Sequence, residues 1–377
     1  MHMAGASPVG SPMPLRERVE IREAHEADNE ALLALTRATP MDGTISLRID
    51  RDPDFFALLR LRGASRVFVA ARGREVVGCI SAALRTVYVG GAPETIAYVG
   101  DMKVHPKFSG SRVAVRLIQA LEADLRSNGI DVCFSVAAEG NRRAMPLFEG
   151  RLGIPRWIPL GRFLVDEFLP APFWGASKPY RIETAQPADL AAIAALLDRF
   201  HRSRQFAPQL AEMEIADAIS ASGTFVARQG RQIVATLTVS DMGPMKRNML
   251  LNAPRAIKGS LALLRFATAP LRFATVPGFI VPRIGDALRL LSVRHAACDA
   301  GHQPALTALL RRARAEAFRR RFTCLALGLH EHDPLRSLVR GIPRFTFTSL
   351  AFATSLGGAG RLKELAQGIP FEDYALV

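Results

Sequence analysis

The sequence predicts an α+β fold in which one unit occurs twice along 377 residues. Three pairs of segments match between the two halves, and they occur in the same order. "IREAHEADNEALLAL" (21–35) matches "IETAQPADLAAIAAL" (182–196), "FVAARGREVVGCIS" (68–81) matches "FVARQGRQIVATLT" (225–238), and "GIPRW" (153–157) matches "GIPRF" (341–345). Chance is a poor explanation for three ordered matches, and this length suits two domains of roughly 150–200 residues.

Each unit begins with a short strand and an amphipathic helix, because the first matched pair has a turn followed by apolar residues at helical spacing. The second pair has two β-rich runs around a Gly-Arg turn, which predicts a hairpin. In the first unit "TIAYVGDMKV" (95–104) is the next strand, and "RVAVRLIQALEADLRSNG" (112–129) is a helix that ends at Gly129.

The unit closes with the strand "IDVCFSVAAE" (130–139), a short helix in "RRAMPLFEGRLG" (142–153) and a final strand. The predicted domain limits are a disordered tail at 1–17, a first unit at 18–168, a Pro- and Gly-rich linker at 169–179 and a second unit at 180–377. The tail lacks the basic start and apolar core of a signal peptide. No apolar run approaches about 20 uncharged residues, so we expect no transmembrane helix.

Cysteine spacing and charge restrict the partners. The four cysteines lie far apart without a CxxC pair, which predicts reduced, buried thiols in a cytoplasmic protein and no metal site. Residues 1–170 carry 22 Lys+Arg against 20 Asp+Glu, whereas residues 171–377 carry 27 against 15. This basic excess in the second half favours a CoA-like cofactor, an acidic substrate or anionic lipid. Aromatic residues are few and no recognition motif occurs, so no nucleic acid is expected.

Two segments of the first unit resemble the GCN5-related N-acetyltransferase (GNAT) superfamily. "MKVHPKFSGSRVAVRLI" (102–118) is similar to that family's strand ending in Val-x-Pro, basic Gly-rich turn and helix. "NRRAMPLFEGRLG" (141–153) resembles its Asn-x-x-Ala-x-x-Leu-Tyr-x-x-x-Gly region at nearly every position. The resemblance covers 18–165 well and 180–350 weakly, so the second unit looks like a degenerate copy.

The resemblance implies two tandem GNAT-like domains, each a mixed, mostly antiparallel twisted sheet flanked by helices. It also implies an N-acyltransferase, with N-acetyl transfer as the expected reaction, that moves an acyl group from CoA to a small-molecule or peptide amine by direct attack. Acetyl-CoA or another acyl-CoA would be the co-substrate. In the family a strand pairs with pantetheine, and the loop N–H groups bind the pyrophosphate at the start of a helix. The cofactor-binding residues implied are Met102, Lys103, Val104, Ser109, Gly110, Ser111, Arg112, Val113, Ala114, Asn141 and Phe148.

Three positions depart from the family pattern. Ser109 replaces a basic or amide residue, and Arg112 stands where glycine is usual. The Cβ of Arg112 could block close approach to phosphate, in which case the loop only caps a helix, or its guanidinium could bind the phosphate itself. Phe148 replaces a tyrosine that protonates the departing thiolate, so solvent or another residue donates that proton, or the enzyme is slow or inactive. The alternative function is therefore a non-catalytic acyl-CoA sensor or scaffold.

The attacking amine must lose a proton, and Asp101 is the leading candidate for the general base, with Glu139 second. Asn141 would orient the cofactor or its leaving sulfur. The alternative for Asp101 is an ion pair with an arginine or a place in a bulge. Residues 39–63 fall where the family places its acceptor-binding helices, and the expected substrate contacts are Asp42, Asp50, Arg51, Phe55 and Phe56. The alternative there is a capped helix start with Asp52 or Asp54 as N-cap.

The second unit contains an insertion at about 241–290. Between 242 and 285 it holds seven Lys/Arg and no acid, and "LRFATAP" (264–270) is followed at once by "LRFATVP" (271–277). Prolines at this spacing exclude a long unbroken helix and favour two short helical turns. The segment could lie on an anionic membrane surface, cover a tunnel for an acyl chain, or form a lid or dimer contact. Whether the chain is a monomer or dimer stays open.

Overall fold

The computed structural model describes residues 18–41, 46–151, 153–172, 178–221, 223–268 and 281–377, and the side chains of helix 255–268 only in part. The strands in these ranges are β1 (Glu20–Glu23), β2 (Ser46–Asp50), β3 (Ala64–Arg72), β4 (Glu75–Val89), β5 (Ala92–Val104), β6 (Val132–Ala138), β7 (Ile158–Phe168), β8 (Arg181–Thr184), β9 (Thr224–Gln229), β10 (Gln232–Asp241), β11 (Arg247–Asn252), β12 (Ala287–Leu288), β13 (Leu290–Cys298), β14 (Cys324–His330) and β15 (Arg344–Ser355). The α-helices there are α1 (Asn29–Ala38), α2 (Ala57–Arg62), α3 (Val113–Ser127), α4 (Met145–Phe148), α5 (Leu190–Arg202), α6 (Glu212–Ser220), α7 (Arg255–Thr268), α8 (Gln303–Arg319) and α9 (Leu362–Leu365).

Both units contribute to one sheet of 12 strands, in the order β1-β3-β4-β5-β6-β15-β7-β14-β13-β10-β9-β8. All neighbours are antiparallel except β5–β6 and β13–β14. The order is nearly symmetric about its centre, since five strands of each unit occupy equivalent positions from the outer edge to the middle: β1, β3, β4, β5 and β6 on one side, and β8, β9, β10, β13 and β14 on the other. The predicted repeat and the mixed, mostly antiparallel sheet are therefore confirmed.

The last strand of each unit lies beside the other unit. Strand β7 follows β6 in the chain but pairs with β14 and β15, and β15 pairs with β6 as well as β7. In register, Val136 of β6 faces Ala351 of β15, and Asp166 of β7 faces Leu327 of β14. Each unit's sheet is thus completed by a strand from the other half, while the predicted domain limits at 168 and 180 stay a prediction.

Helices cover the two faces of the sheet in the first unit. Helix α3 packs on Ala70, Ile80 and Ala97, whereas α1 and α2 pack on the opposite face against Val67 and Val69. The alternation of side chains along a strand explains this division. Helix α3 lies close to β4 because Gly78 has no side chain: a Cβ there would stand 3.0 Å from a methyl group of Val113 and 3.1 Å from the Lys103 carbonyl oxygen.

A second sheet joins the acceptor segment predicted at 39–63 to the insertion at 241–290. Strand β2 pairs with β11, which pairs with β12, and Ile49 faces Asn248. The insertion also forms one helix, α7, which ends at Thr268 before the first of the two spaced prolines, Pro270. Residues 269–280, which hold most of the segment where two short turns were predicted, lie outside the described ranges. No helix in the described parts of the chain is long and apolar enough to cross a membrane.

Candidate active site

The candidate site begins where β5 and β6 diverge. The two strands pair in parallel only at Ala97–Cys133 and Tyr98–Phe134. Beyond that point β5 continues to Val104, and no described strand pairs with its edge facing β6. The result is a V-shaped opening, with a free strand edge along 99–104 that can hydrogen-bond an extended ligand as an added strand would.

A β-bulge deforms β5 inside this opening. Cys79 of β4 faces Lys103 and Ser81 faces Gly100, so Asp101 and Met102 together lie opposite a single residue of β4. Asp101 has a φ of +51°, in the left-handed region that residues with a side chain seldom adopt. The bulge therefore changes the direction of β5 at the mouth of the opening.

The Asp101 side chain is buried and fully engaged. It is 7% exposed, and its carboxylate accepts hydrogen bonds from Arg51 (Nη1, 2.8 Å) and Ser81 (Oγ, 3.0 Å) and contacts Lys103 (Nζ, 3.3 Å). Burial raises the pKa of Asp101, but attraction to Arg51 and Lys103 and these hydrogen bonds outweigh burial and hold it well below its ordinary value. A carboxylate with so low a pKa accepts a proton poorly. The geometry favours the paired, bulged alternative over a general base.

The predicted phosphate loop follows β5 directly. A short 3-10 turn (Pro106–Phe108) leads to Ser109, Gly110, Ser111 and Arg112, all four exposed, and α3 begins at Val113 with Arg112 as its N-cap residue. Gly110 has a φ of +78° and open space where a side chain would be. Lys107 and Arg112 form no ion pair in the described ranges. The loop therefore presents exposed cations at a helix start, where the N–H groups of the first turn have no partner within the helix.

The predicted residues on the other side of the opening are held by local contacts. Asn141 accepts a hydrogen bond from the Ala144 N–H (3.2 Å) and so closes the turn that precedes α4. Phe148 stacks on Phe352 of β15, with ring centroids 4.0 Å apart. Glu139 is exposed and pairs with Arg162 at 3.0 Å, an arrangement typical of a solvated strand end.

The predicted substrate contacts are largely occupied within the protein. Asp50 is buried and accepts hydrogen bonds from Arg48, the nearer at 2.7 Å. Phe55 is fully buried in the core beneath α1, whereas Phe56 is partly exposed and meets Phe55 edge-on. Arg51 is paired with Asp101 as described, and Asp42 lies outside the described residues. Neither Asp52 nor Asp54 is the N-cap residue of α2, since the helix begins at Ala57 with Phe56 as its N-cap, although Asp54 accepts a hydrogen bond from the Phe56 N–H (2.8 Å).

The sheet face opposite α3 holds polar residues that sequence reasoning missed. A cavity of about 40 Å³ lies between Tyr98 and Phe134 and is also lined by Arg62, Phe206 and Glu372. Arg62 and Glu372 form a buried ion pair of 2.9 Å, and the Arg62 guanidinium lies 3.5 Å from the centre of the Tyr98 ring. These residues are far apart in the chain, and the adjacent acids Glu372 and Asp373 within the otherwise apolar run "IPFEDYALV" (369–377) are the signal that could have indicated them.

The second unit has a similar opening between two diverging strands, but its equivalent loop lacks the exposed cations of the first unit's loop. Strands β13 and β14 pair in parallel only over Leu290–Ser292, then diverge. Gly301 has a φ of +82° and corresponds to Gly110, but the loop before it contains Asp299, which pairs with Arg199 at 2.9 Å. An acid at this position repels phosphate, which supports the interpretation of a degenerate copy.

Comparisons with known proteins agree with this description. Residues 30–154 match the family model described as "Acetyltransferase (GNAT) family". No curated protein matches the sequence significantly. Saccharomyces cerevisiae N-myristoyltransferase with bound myristoyl-CoA is similar in structure over 92% of this chain and 85% of its own, with a TM-score of 0.59 and 12% identity. A glucosamine N-acetyltransferase region in a fungal multi-domain GH3 β-N-acetylglucosaminidase matches 90% of this chain and 38% of its own, with a TM-score of 0.60 and 11% identity. At these identities the structural similarity shows a common fold.

Proposed function

We propose that this chain, whose residues 30–154 match the model of the acetyltransferase (GNAT) family, is an acyltransferase that transfers an acyl group from acyl-CoA directly to an amine. The observation that carries the proposal is the continuous run 99–113, which contains a free strand edge, a bulge and an exposed basic loop at a helix start. Each of these suits one part of an acyl-CoA: the amide-containing arm, the thioester and the pyrophosphate. The match to 30–154 covers this whole run.

The residues present fit such a cofactor. We infer that the backbone of Met102, Lys103 and Val104 pairs with the pantetheine arm, as a strand edge pairs with a peptide. Residues 109–114 would bind the pyrophosphate, because Gly110 leaves room for it and Arg112 is exposed with no described acid beside it. When bound, acyl-CoA supplies a thioester carbonyl already activated toward attack by an amine. The chain's own contribution is then chiefly to position and desolvate the amine.

Acetyl transfer is the expected reaction, and the similarity to an N-myristoyltransferase makes a longer acyl group the first alternative to test. Phe148 and Phe352 are stacked at the wall of the opening and offer an apolar surface to the sulfur end of the cofactor. Phe148 cannot donate a proton, so the departing thiolate would take its proton from solvent.

Calorimetric titration with acetyl-CoA and with myristoyl-CoA, at two salt concentrations, tests the binding step. We expect saturable binding of about one equivalent that weakens with salt, because exposed cations hold a pyrophosphate. A thiol-release assay with mixed amines then tests turnover. Binding without thiol release above background would support the sensor or scaffold alternative, and no binding to either compound would contradict the proposed function.

A second candidate function is acylation of hydrophobic or lipid-linked amines at an anionic membrane surface. Helix α7 favours it, because Leu263 (70% exposed) and Phe266 (82% exposed) share one face with exposed Arg255 and Lys258. Apolar and basic side chains on one face suit an anionic lipid surface. The adjacent β11 pairs with β2, so the membrane would lie on the acceptor side.

Sedimentation with vesicles containing phosphatidylglycerol tests this second candidate. We expect Leu263→Glu with Phe266→Glu to abolish binding that the wild type shows. Met213→Glu is the matched control, because Met213 is 73% exposed on α6 and lies outside the insertion. Equal sedimentation of the double variant and the control would exclude α7 from this role. A cytoplasmic location is proposed as well, and four free cysteines support it.

A further inference from the structure

The segment after α9 is fixed to the second unit through Gln205 and β14, and to the first unit through the Tyr374 ring, whose centre lies 5.4 Å from that of Phe163. The Gln205 N–H donates to the carbonyl of Ile369 (2.9 Å), and the Phe371 N–H donates back to Gln205 (2.8 Å). The Tyr374 ring lies directly on β14 at Gly328, where any Cβ would come within 2.2 Å of the ring. Such anchoring on both sides of Glu372 holds its side chain in one place.

That place is the sheet face on which an acceptor would approach. Tyr98 and Phe134 are the last paired residues before β5 and β6 diverge, and their neighbours Ala97 and Cys133 pack with α3 on the opposite face. Tyr98 and Phe134 therefore project away from the cofactor helix. They line the small cavity together with Glu372, so this carboxylate lies at the apex of the V-shaped opening.

The Glu372 carboxylate differs from that of Asp101 in its partners. Its side chain is 3% exposed, and in the described part of the chain its one ion-pair partner is Arg62 at 2.9 Å. Burial raises the pKa of Glu372, and the opposing attraction of Arg62 does not cancel this effect. The adjacent Asp373 carboxylate raises the pKa of Glu372 further, and the Arg85 guanidinium lowers it. Asp101, by contrast, has two cationic partners and a hydroxyl donor. A buried carboxylate with one ion-pair partner and a raised pKa is the better proton acceptor of the two.

We propose that Glu372 accepts the proton of the acceptor amine during acyl transfer. The inference rests on the proposed function. The amine nitrogen attacks the thioester carbon, the N–C bond forms, the C–S bond breaks and the electron pair leaves on the CoA sulfur. The proton lost by nitrogen goes to the Glu372 carboxylate and then to solvent, which also protonates the thiolate. Arg62, held over the Tyr98 ring, is the residue that positions Glu372.

The test uses the full chain with acetyl-CoA and the amine that gives the highest wild-type turnover. Glu372→Gln is expected to lower kcat by about 100-fold or more. Its affinity for acetyl-CoA, measured by calorimetry, should stay within about twofold, and the acid limb of the kcat–pH profile should disappear. Glu364→Gln is the matched control, because Glu364 is 46% exposed in α9 shortly before the same segment.

Glu372→Asp covers the case in which the amide variant fails to fold, since it keeps a charge opposite Arg62. The shorter aspartate side chain places the carboxylate farther from the amine, so kcat should fall about tenfold or more. The acid limb of the kcat–pH profile should remain, because a carboxylate is still present. Wild-type kcat in Glu372→Asp, or kcat within about threefold of wild type in Glu372→Gln, overturns the role of Glu372 alone. A wild-type protein that binds acetyl-CoA but turns over no amine overturns the proposed function too.

Discussion

Asp101 and His295 have the same backbone conformation at equivalent places in the two units, with φ of +51° and +47°. Each lies in a bulge, in β5 opposite β4 and in β13 opposite β10. The chemistry of the two residues differs. Asp101 is a buried carboxylate in an ion pair with Arg51. His295 is a buried imidazole, and burial, reinforced by the charge of Arg294, lowers its pKa to about 3. The repeated backbone with different side chains is consistent with duplication followed by loss of the site in the second unit.

Asp101→Asn should destabilise the protein, because it leaves the buried Arg51 guanidinium without its counter-ion. We expect the free energy of unfolding in urea to fall by about 3 kcal/mol. Asp54→Asn is the control, since Asp54 pairs with Arg60 at an exposed site and its loss should cost below about 1 kcal/mol. A loss from Asp101→Asn as small as the control's would mean that the pair with Arg51 contributes little.

Arg112→Glu should weaken acyl-CoA binding by about tenfold or more, because it reverses the charge of the N-cap residue of α3. Calorimetric titration with acetyl-CoA measures the change, and the salt dependence of the affinity should decrease as well. Arg231→Glu, in the exposed hairpin turn between β9 and β10, controls for net charge because it lies away from this loop. Unchanged affinity in Arg112→Glu would remove this loop from the site.

Stability should fall as the pH drops below 6.5, through the buried His201. Burial lowers the pKa of His201 to about 4 from 6.5, so between these values the unfolded chain binds a proton that the folded chain does not. Its contribution to stability is present above pH 6.5 and decreases by about 1.4 kcal/mol per pH unit toward pH 4. Urea unfolding at pH 7 and pH 5 measures this loss.

His201→Gln is the informative variant for that pH effect, and His105→Gln in the exposed loop region is its control. Between pH 7 and pH 5 the free energy of unfolding of the variant should fall by about 2 kcal/mol less than that of the wild type. An identical loss in both proteins would assign the acid sensitivity to other groups.

The exchanged strands should make the two units unfold together. Strand β15 lies between β6 and β7, so loss of the second unit also exposes the edge of β6. Leu309→Ala, in the fully buried core of the second unit, should lower the free energy of unfolding by about 2–5 kcal/mol and lower hydrogen-exchange protection in both units. Leu117→Ala in α3 should do the same from the first unit. Two separate transitions, with only one shifted by each variant, would contradict this prediction.

The site was predictable from sequence where it depends on adjacent residues. The strand, loop and helix over 102–118 lie as expected, because their pattern is local and the cofactor-binding residues follow one another. The acceptor side was not predictable from the sequence, because Asp50 is hydrogen-bonded to Arg48 and Phe55 is buried in the core. Spacing indicates that a residue is polar or aromatic but not which partner it will find.

By itself the sequence determined the repeat, the hairpins at Gly73 and Gly230 and the basic loop before α3, because each depends on residues within one turn or one strand pair. Only the tertiary structure decided that β7 and β15 exchange places and that Glu372 meets Arg62. The reason for the strand exchange is that strand edges pair where the two units together bury the most surface. The reason for the ion pair is that Arg62 and Glu372 are 310 positions apart, and a contact at this separation produces no local pattern in the sequence.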